Sequence, residues 1–152
     1  MKLSTKGRHA ITAMMELALR HNNGPVTLAD ISVEQSISVS YLEQLFARLR
    51  NHGLVTGMRG PGGGYCLRRP ASEITIAEIL SAVDDAMPAR RERIPGEEWP
   101  QSVIMWNQLS ARIYDYLNGL TLAEAVNQSA EPERNDNAET PFASGFQQSS
   151  AA

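Results

Sequence analysis

The sequence predicts a mainly α-helical fold with a small β-hairpin wing, the outline of a winged helix-turn-helix followed by a long C-terminal helix. Three observations lead to this fold class. Apolar residues recur at helical spacing through residues 5–52, a glycine-rich segment separates two short strand-like runs within residues 54–68, and a heptad-like apolar seam follows within residues 101–120. The length of 152 residues fits one compact domain with appendages.

Polar caps delimit three helices in the first third of the chain. Ser4 or Thr5 can cap the first helix, and Ser38 can cap the third, whose end is marked by Gly53. The predicted helices run from Thr5 to about His21, from Thr27 through Val33, and from Val39 to His52. The short turn between the second and third helices is typical of a helix-turn-helix.

The next segment predicts a β-hairpin. Leu54 to Met58 can form one strand and Tyr65 to Arg68 the return strand. The intervening segment from Arg59 to Gly64 is predicted to be a loop, because its four glycines and one proline cannot hold a regular structure.

The second half of the chain predicts two capping boxes and a long helix. Thr75 begins a helix through Val83, and Thr121 begins a short last helix. The organisation predicted from these signals is a winged helix-turn-helix domain at 1–85, an irregular loop at 86–100, a long helix with the short last helix at 101–127, and a disordered tail at 128–152.

The charges of the chain are segregated. Residues 1–70 contain nine Lys and Arg against four Asp and Glu, whereas residues 71–152 contain five against thirteen, which gives net charges of +5 and −8. A basic N-terminal module on an acidic chain suggests an anionic partner for that module, and the alternative is chance clustering on a solvated face.

The sequence disfavours several classes of protein. No apolar stretch has the length of a membrane span, and no signal peptide is recognisable, so we expect a cytoplasmic protein with no membrane partner. No nucleophile–base pair, paired-carboxylate motif or metal cluster suggests an enzyme. The single cysteine, Cys66, excludes an intrachain disulfide.

The third predicted helix carries polar side chains that are suited to recognising DNA bases. Ser40, Glu43 and Gln44 share one exposed side, and these side chains can hydrogen-bond to base edges in the major groove of double-stranded DNA. A carboxylate facing DNA repels phosphate, so Glu43 either accepts a hydrogen bond from cytosine or excludes sequences that lack one. The alternative is that all three are ordinary solvated residues. The full predicted DNA-binding set is Lys6, Arg8, Ser38, Ser40, Tyr41, Glu43, Gln44, Arg50, Arg59 and Gly60.

The glycine-rich hairpin supports this interpretation. Arg59 stands where a minor-groove or phosphate contact would be placed, and the glycines let the backbone approach DNA closely. A nucleotide-binding loop is the rival interpretation, but no Lys-Ser/Thr pair follows Gly64 and the next residues favour a strand over a helix.

Four runs resemble the Rrf-two family of bacterial transcription regulators. They are Leu3 to Arg8, Leu28 to Ser32, Ser40 to Phe46, and Arg59 to Tyr65. The resemblance is close from Met1 to about Asp85 and weak to Val126. It implies a homodimeric winged-helix repressor or activator whose wing meets the minor groove and whose long C-terminal helix pairs the subunits. The predicted dimer contacts are the seam residues Trp106, Leu109, Ile113, Tyr116 and Leu120, for which the alternative is burial within one subunit.

The sequence lacks the residues that bind the cofactor in cluster-binding members of the family. Cluster-binding members carry three cysteines before the dimerisation helix and a histidine at its start. Here residues 90–100 contain no cysteine and residues 101–104 no histidine. We therefore expect no iron–sulfur cluster, and no metal site either, since His9, His21 and His52 have no paired ligand spacing.

Cys66 lies in the predicted return strand of the wing. A buried, inert strand cysteine is the favoured interpretation, and a redox-sensing thiol is the alternative. Other open controls of DNA binding are an unknown small ligand or a protein partner on the acidic half.

Overall fold

The computed structural model describes residues 4–84 and 93–130, and predictions made for residues 1–3, 85–92 and 131–152 lie outside this range. The described fold is mainly helical with one two-stranded sheet, which confirms the predicted fold class. The elements are α1 (Thr5–Leu19), α2 (Leu28–Gln35), α3 (Val39–Asn51), β1 (Val55–Met58), β2 (Gly64–Leu67), α4 (Ile76–Val83), α5 (Gln101–Gly119) and α6 (Leu122–Ala130), with short 3₁₀ turns at His21–Asn23 and Ala71–Glu73.

The first three helices begin at the predicted caps. The hydroxyl oxygen of Ser4 accepts a hydrogen bond from the Gly7 N–H at 3.0 Å, which settles the choice between Ser4 and Thr5. The hydroxyls of Thr27 and Ser38 do the same for α2 and α3 at 3.1 and 3.3 Å. Each cap satisfies a backbone donor that the helix itself leaves unpaired.

Helix α4 begins with a complete capping box. The Thr75 hydroxyl accepts from the Glu78 N–H, and the Glu78 carboxylate accepts from the Thr75 N–H at 2.9 Å. Burial alone would raise the pKa of the Glu78 carboxyl, but this backbone bond and the guanidinium of Arg69 at 3.0 Å outweigh it, so the pKa lies below its ordinary value. Thr121 and Glu124 form the equivalent box at α6.

The wing is an antiparallel hairpin in which Val55 pairs with Leu67 and Met58 with Gly64. Its loop closes through a hydrogen bond from the Gly63 N–H to the Gly60 carbonyl at 2.8 Å. The residues between them are Pro61 and Gly62, and Gly62 has φ +74°, as a type II turn requires of its third residue. The glycine-rich segment therefore makes a defined turn.

One hydrophobic core joins both ends of the described chain. Fully buried residues of α1, α3 and α4, among them Met14, Phe46 and Leu80, pack together, and Leu122 of α6 is buried in the same cluster. The backbone reinforces this joint, because the Leu122 N–H donates to the Ile74 carbonyl at 2.8 Å. Helix α6 thus packs on the N-terminal helices, while the grouping of residues 101–127 as a dimerisation unit stays a prediction.

Candidate DNA interface and subunit interface

Helix α3 is sharply divided between a buried and an exposed face. Its apolar residues Leu42, Leu45, Phe46 and Leu49 are buried in the core. Ser40, Glu43 and Gln44 are all exposed, on the side where the sequence predicted a base-reading face. A helix held by one face leaves its other face free to enter a groove, so the local geometry has the form that major-groove reading requires.

One aromatic contact joins the start of α3 to the first half of α1. The ring of Tyr41 is half-buried and meets the ring of His9 edge-on, with centroids 5.5 Å apart. The predicted DNA-binding set assumed that Tyr41 is freely exposed. Its side chain instead packs partly against His9. Lys6 and Arg8, which precede His9 on α1, are exposed.

Two arginines near the end of α3 have different surroundings. Arg50 is exposed, as predicted. Arg48 is half-buried, and its guanidinium donates to the backbone carbonyl of Val83 at 3.2 Å, which ties α3 to the end of α4.

The wing is held in a fixed position relative to α3. Tyr65 of β2 packs on Phe46 of α3 with ring centroids 4.8 Å apart. Tyr65 also exchanges two backbone hydrogen bonds with Val26, at 2.8 and 3.0 Å. An added Cβ at Gly64 would lie 2.5 Å from the Val26 carbonyl oxygen, so this close approach requires glycine. Arg59 and Gly60 are both exposed beyond this anchored base.

Cys66 lies in β2 and is half-buried, so the favoured interpretation of a buried cysteine is wrong. All four residues of β2 are half-buried, because a two-stranded sheet covers neither of its faces completely. The Cys66 thiol lies 3.7 Å from the thioether sulfur of Met58 on β1. Whether the thiol responds to oxidants stays a hypothesis.

Helix α5 contains no buried residue, although it is 19 residues long. Trp106, Leu109 and Tyr116 of the predicted seam are 60%, 44% and 72% exposed. Ile113 is half-buried, and Leu120 packs partly against the core. The alternative that the seam is buried within one subunit is therefore wrong for Trp106, Leu109 and Tyr116, and their role in a dimer stays a prediction.

The donor side chains do not suit an iron–sulfur cluster. Within residues 4–84 and 93–130, no three His, Cys, Asp or Glu side chains come together in a group that could hold a metal ion. The one cysteine of the sequence belongs to the wing, and residues 85–92 add neither cysteine nor histidine. Clusters are held by thiolates or imidazoles, so the residues of one chain do not fit this cofactor.

Over the same described part of the chain, no helix combines the length and the apolar content that crossing a bilayer requires.

An exposed polar face on the second helix of a helix-turn-helix, beside a hairpin fixed to that helix, defines a winged helix-turn-helix protein of the DNA-binding transcription regulator class. Comparison with known proteins gives the family. The family model described as Rrf2, iron-dependent transcriptional regulator, matches residues 3–128, and the chain belongs to this family.

Individual relatives agree with this assignment. The chain is 48% identical over 149 residues to the HTH-type transcriptional regulator IscR of Serratia proteamaculans, covering 92% of this chain and 91% of the relative. Among solved structures, CymR, the global cysteine regulator of B. subtilis, is 34% identical with a TM-score of 0.73, covering 84% of this chain and 98% of that one. T. potens IscR is 32% identical with a TM-score of 0.73, covering 85% and 88%. The relatives named in this way are transcriptional regulators and not enzymes.

Sequence reasoning missed two contacts that shape the interface. His9 is half-buried and packs on Tyr41, a contact that the spacing of α1 does not indicate. The contact between Phe46 and Tyr65 orients the wing. Helical spacing put Phe46 on the apolar face, which was the available signal, but no sequence pattern indicates which aromatic residue it meets 19 positions later.

Proposed function

We propose that the protein is a homodimeric, sequence-specific DNA-binding regulator that works without an iron–sulfur cluster. Each subunit inserts α3 into the major groove of its operator and places Arg59 of the wing in the adjacent minor groove. The observation that carries this proposal is the exposed face of Ser40, Glu43 and Gln44 on a helix whose other face is buried. The place of action is the cytoplasm, where bacterial DNA lies.

The three side chains offer complementary hydrogen-bonding chemistry. Gln44 can pair bidentately with adenine, Glu43 can accept from the amino group of cytosine, and Ser40 can donate or accept. No described side chain pairs with Glu43, so its carboxylate is available to a base and repels acceptor edges. Lys6, Arg8, the Ser38 hydroxyl and Gly60 are exposed at the edges of this face and supply contacts to the DNA backbone.

Dimerisation through α5 is supported by its uncovered apolar side chains. A contiguous apolar surface on a monomer marks an interaction site, and here Trp106, Leu109 and Tyr116 recur along one helix. A second copy of α5 would cover them with the same residue types, as an isologous interface requires. Two subunits would then present two copies of α3 to two half-sites of the operator.

The proposal departs from the description of the family as iron-dependent. The donor set of this chain supports the departure, because three thiolates cannot be assembled from one cysteine. The signal that this protein senses is therefore carried by something else, and a protein partner, a small ligand or the half-buried Cys66 are the candidates.

A DNA selection tests the proposal. The purified protein is incubated with a pool of randomised duplexes, and bound sequences are enriched over several rounds. We expect one motif with two-fold symmetry, and we expect a Ser40→Ala, Gln44→Ala variant to lose the preference at particular bases while it keeps weak binding to all sequences. A failure to enrich any motif would contradict the proposal.

A further inference from the structure

A cleft of about 440 Å³ separates the last turn of α3 from the wing. One wall carries Arg50, and the other is formed by Gly57, Met58, Arg59 and Tyr65 of the hairpin. A water molecule occupies about 30 Å³ in the liquid, so the cleft has room for a small ligand group with several waters. The cleft lies between the two elements proposed to bind DNA.

The charge of the cleft selects an anion. Arg50 and Arg59 approach it from opposite elements, and neither forms an ion pair with a described residue, whereas Arg20 and Arg69 are paired with Glu16, Glu34 and Glu78. The residues that line the cleft include no carboxylate. Two guanidinium groups without a counter-charge favour a phosphate group, which they can bind through paired N–H donors.

Gly57 supplies an independent indication of a ligand. It lies inside β1, its φ is not positive, and a Cβ added there would meet only the ring of Tyr65, at an ordinary contact distance of 3.6 Å. The fold therefore does not require glycine at this position, and glycine weakens a strand. A glycine within a strand often marks a place where a ligand approaches the backbone closely. Gly57 opens the cleft in this way.

Both walls of the cleft are fixed. The contact between Tyr65 and Phe46 joins the hairpin to α3, and the backbone pairing of Tyr65 with Val26 holds it from the other side. A ligand group would therefore enter a cleft already formed and would not have to order it, which lowers the free-energy cost of binding.

We infer that this cleft seats one phosphate of the DNA backbone in each subunit, held by Arg50 beside Gly57, while Arg59 adds its positive charge from the minor-groove side. The inference rests on the proposed function. Adjacent major and minor grooves are separated by a sugar–phosphate strand, so a protein with α3 in one and Arg59 in the next must let that strand cross the cleft between them. The seat fixes the register of α3 on the operator, because a phosphate contact positions the protein and base contacts specify the sequence.

A methylphosphonate scan of the selected operator tests the seat. Each backbone phosphate in turn is replaced by the uncharged analogue, and affinity is measured at fixed salt. For the wild-type protein, we expect one position per half-site at the boundary of the two grooves to weaken binding about tenfold, the scale of one charge-assisted hydrogen bond. That loss should shrink in Arg50→Ala, because the analogue removes a phosphate charge whose contact with Arg50 this variant already lacks, and only the attraction to Arg59 remains.

Substitution of Gly57 changes the shape of the cleft and leaves its charge unchanged. Gly57→Val keeps both arginines and adds a strand-favouring side chain in the cleft, so we expect unchanged or higher thermal stability with about tenfold weaker binding and no further loss from the same methylphosphonate. Gly57→Ala, which adds only the tolerated Cβ, should give a smaller loss. Gly119→Ala is the control, because nothing lies within 4 Å of its added Cβ, and it should bind like the wild type.

The outcomes distinguish the seat from the proposed function. Equal affinities of wild type and Gly57→Val on the operator would overturn the seat and leave operator binding intact, whereas a wild type that binds no DNA would overturn the proposed function itself. Calorimetry with inorganic phosphate and pyrophosphate separates the two sources of a phosphate group. Saturable binding of either ion that Gly57→Val abolishes, together with an operator indifferent to every methylphosphonate, would overturn the DNA source and assign the cleft to a free phosphorylated ligand.

Discussion

At the scale of single residues, Arg59 and Glu43 carry opposite charges toward the same anionic partner. Arg59 extends from a hairpin whose base is anchored by Tyr65, and Glu43 lies on the exposed face of α3. A cationic side chain favours binding to DNA of any sequence, because every phosphate is negative. An anionic side chain favours binding only where a base donates a hydrogen bond to it. The two residues should therefore give different profiles across a set of operator variants.

Arg59→Ala should weaken binding to all members of that set by about 1–3 kcal/mol, because a minor-groove arginine responds to groove potential more than to base identity. Fluorescence anisotropy titrations at fixed salt measure this. Arg59→Lys serves as the matched control that keeps the charge and loses the planar guanidinium. Unchanged affinity in Arg59→Ala would show that the wing does not touch DNA.

Glu43→Ala should relax specificity and not abolish affinity. The loss of the carboxylate removes repulsion from phosphates and from acceptor edges such as guanine O6, so binding to poor sites should strengthen while the best site weakens or stays the same. The same titrations, repeated with Glu43→Gln as the isosteric control, measure the spread of affinities. A uniform loss across the set would assign Glu43 a structural role in α3.

Residue-level prediction from the sequence succeeded where spacing decides the outcome and failed where a distant contact does. Helical spacing placed Glu43 and Gln44 on an exposed face, which the structure has. It did not place Arg48, whose environment depends on the Val83 carbonyl 35 positions away. Nor could it place Cys66, since β2 has only four residues and all are half-buried, without the alternation that assigns strand faces.

At the scale of elements, the capping box of α4 fixes the first turn of a helix that packs in the core. Its glutamate also forms an ion pair. Thr75 and Glu78 satisfy each other's backbone donors, and Arg69 joins the Glu78 carboxylate at 3.0 Å. The helix they begin places Ile76, Ile79, Leu80 and Val83 in the core. Local polar bonds at one residue pair thus decide where a largely buried helix begins.

This box predicts a dependence of stability on pH. The pKa of Glu78 is lower in the folded chain than its ordinary value of 4.5, so its contribution is fully present above that value and is lost as pH falls through the folded pKa. Thermal denaturation at a series of pH values below 5 should show wild-type stability approaching that of Glu78→Gln. Glu124→Gln, which disrupts a similar box, is the comparison, and the difference between the two variants reports what Arg69 adds. Parallel curves for wild type and Glu78→Gln would contradict the prediction.

The elements themselves were the most predictable part of the fold, because their boundaries are local. Caps at Thr27, Ser38 and Thr75 and the turn at Pro61-Gly62 act within a few residues, so the sequence displays them directly. The packing of α6 on α1 was not predictable in this way. It depends on contacts between opposite ends of the described chain, which no local pattern specifies.

At the scale of the whole molecule, α5 differs from the other helices because its apolar side chains are exposed. The core from α1 to α4 and α6 is closed, but α5 adds an exposed apolar surface that residues 4–84 and 93–130 do not cover. A second copy of the chain would cover this surface and would set the spacing of the two α3 helices on DNA.

Leu109→Glu should convert the dimer to a monomer and weaken operator binding at least tenfold, because it places a charge in an interface that repeats the same residue on both sides. Light scattering and anisotropy measure the two effects. Leu19→Glu is the matched control: Leu19 is 60% exposed on α1, outside the proposed interface, and this variant should remain dimeric. A monomeric wild type, or a Leu109→Glu variant that stays dimeric, would contradict dimerisation through this face.

The central claim is that this member of an iron-dependent family reads a specific operator through α3 with no cluster bound. The most direct test is hydroxyl-radical footprinting of the selected operator by protein purified without oxygen, with its iron and sulfide content measured on the same sample. We predict a colourless protein that protects two half-sites about one helical turn apart, a pattern lost in the Ser40→Ala, Gln44→Ala double variant. Near-stoichiometric iron and sulfide, or protection only after a cluster has been assembled, would contradict the claim.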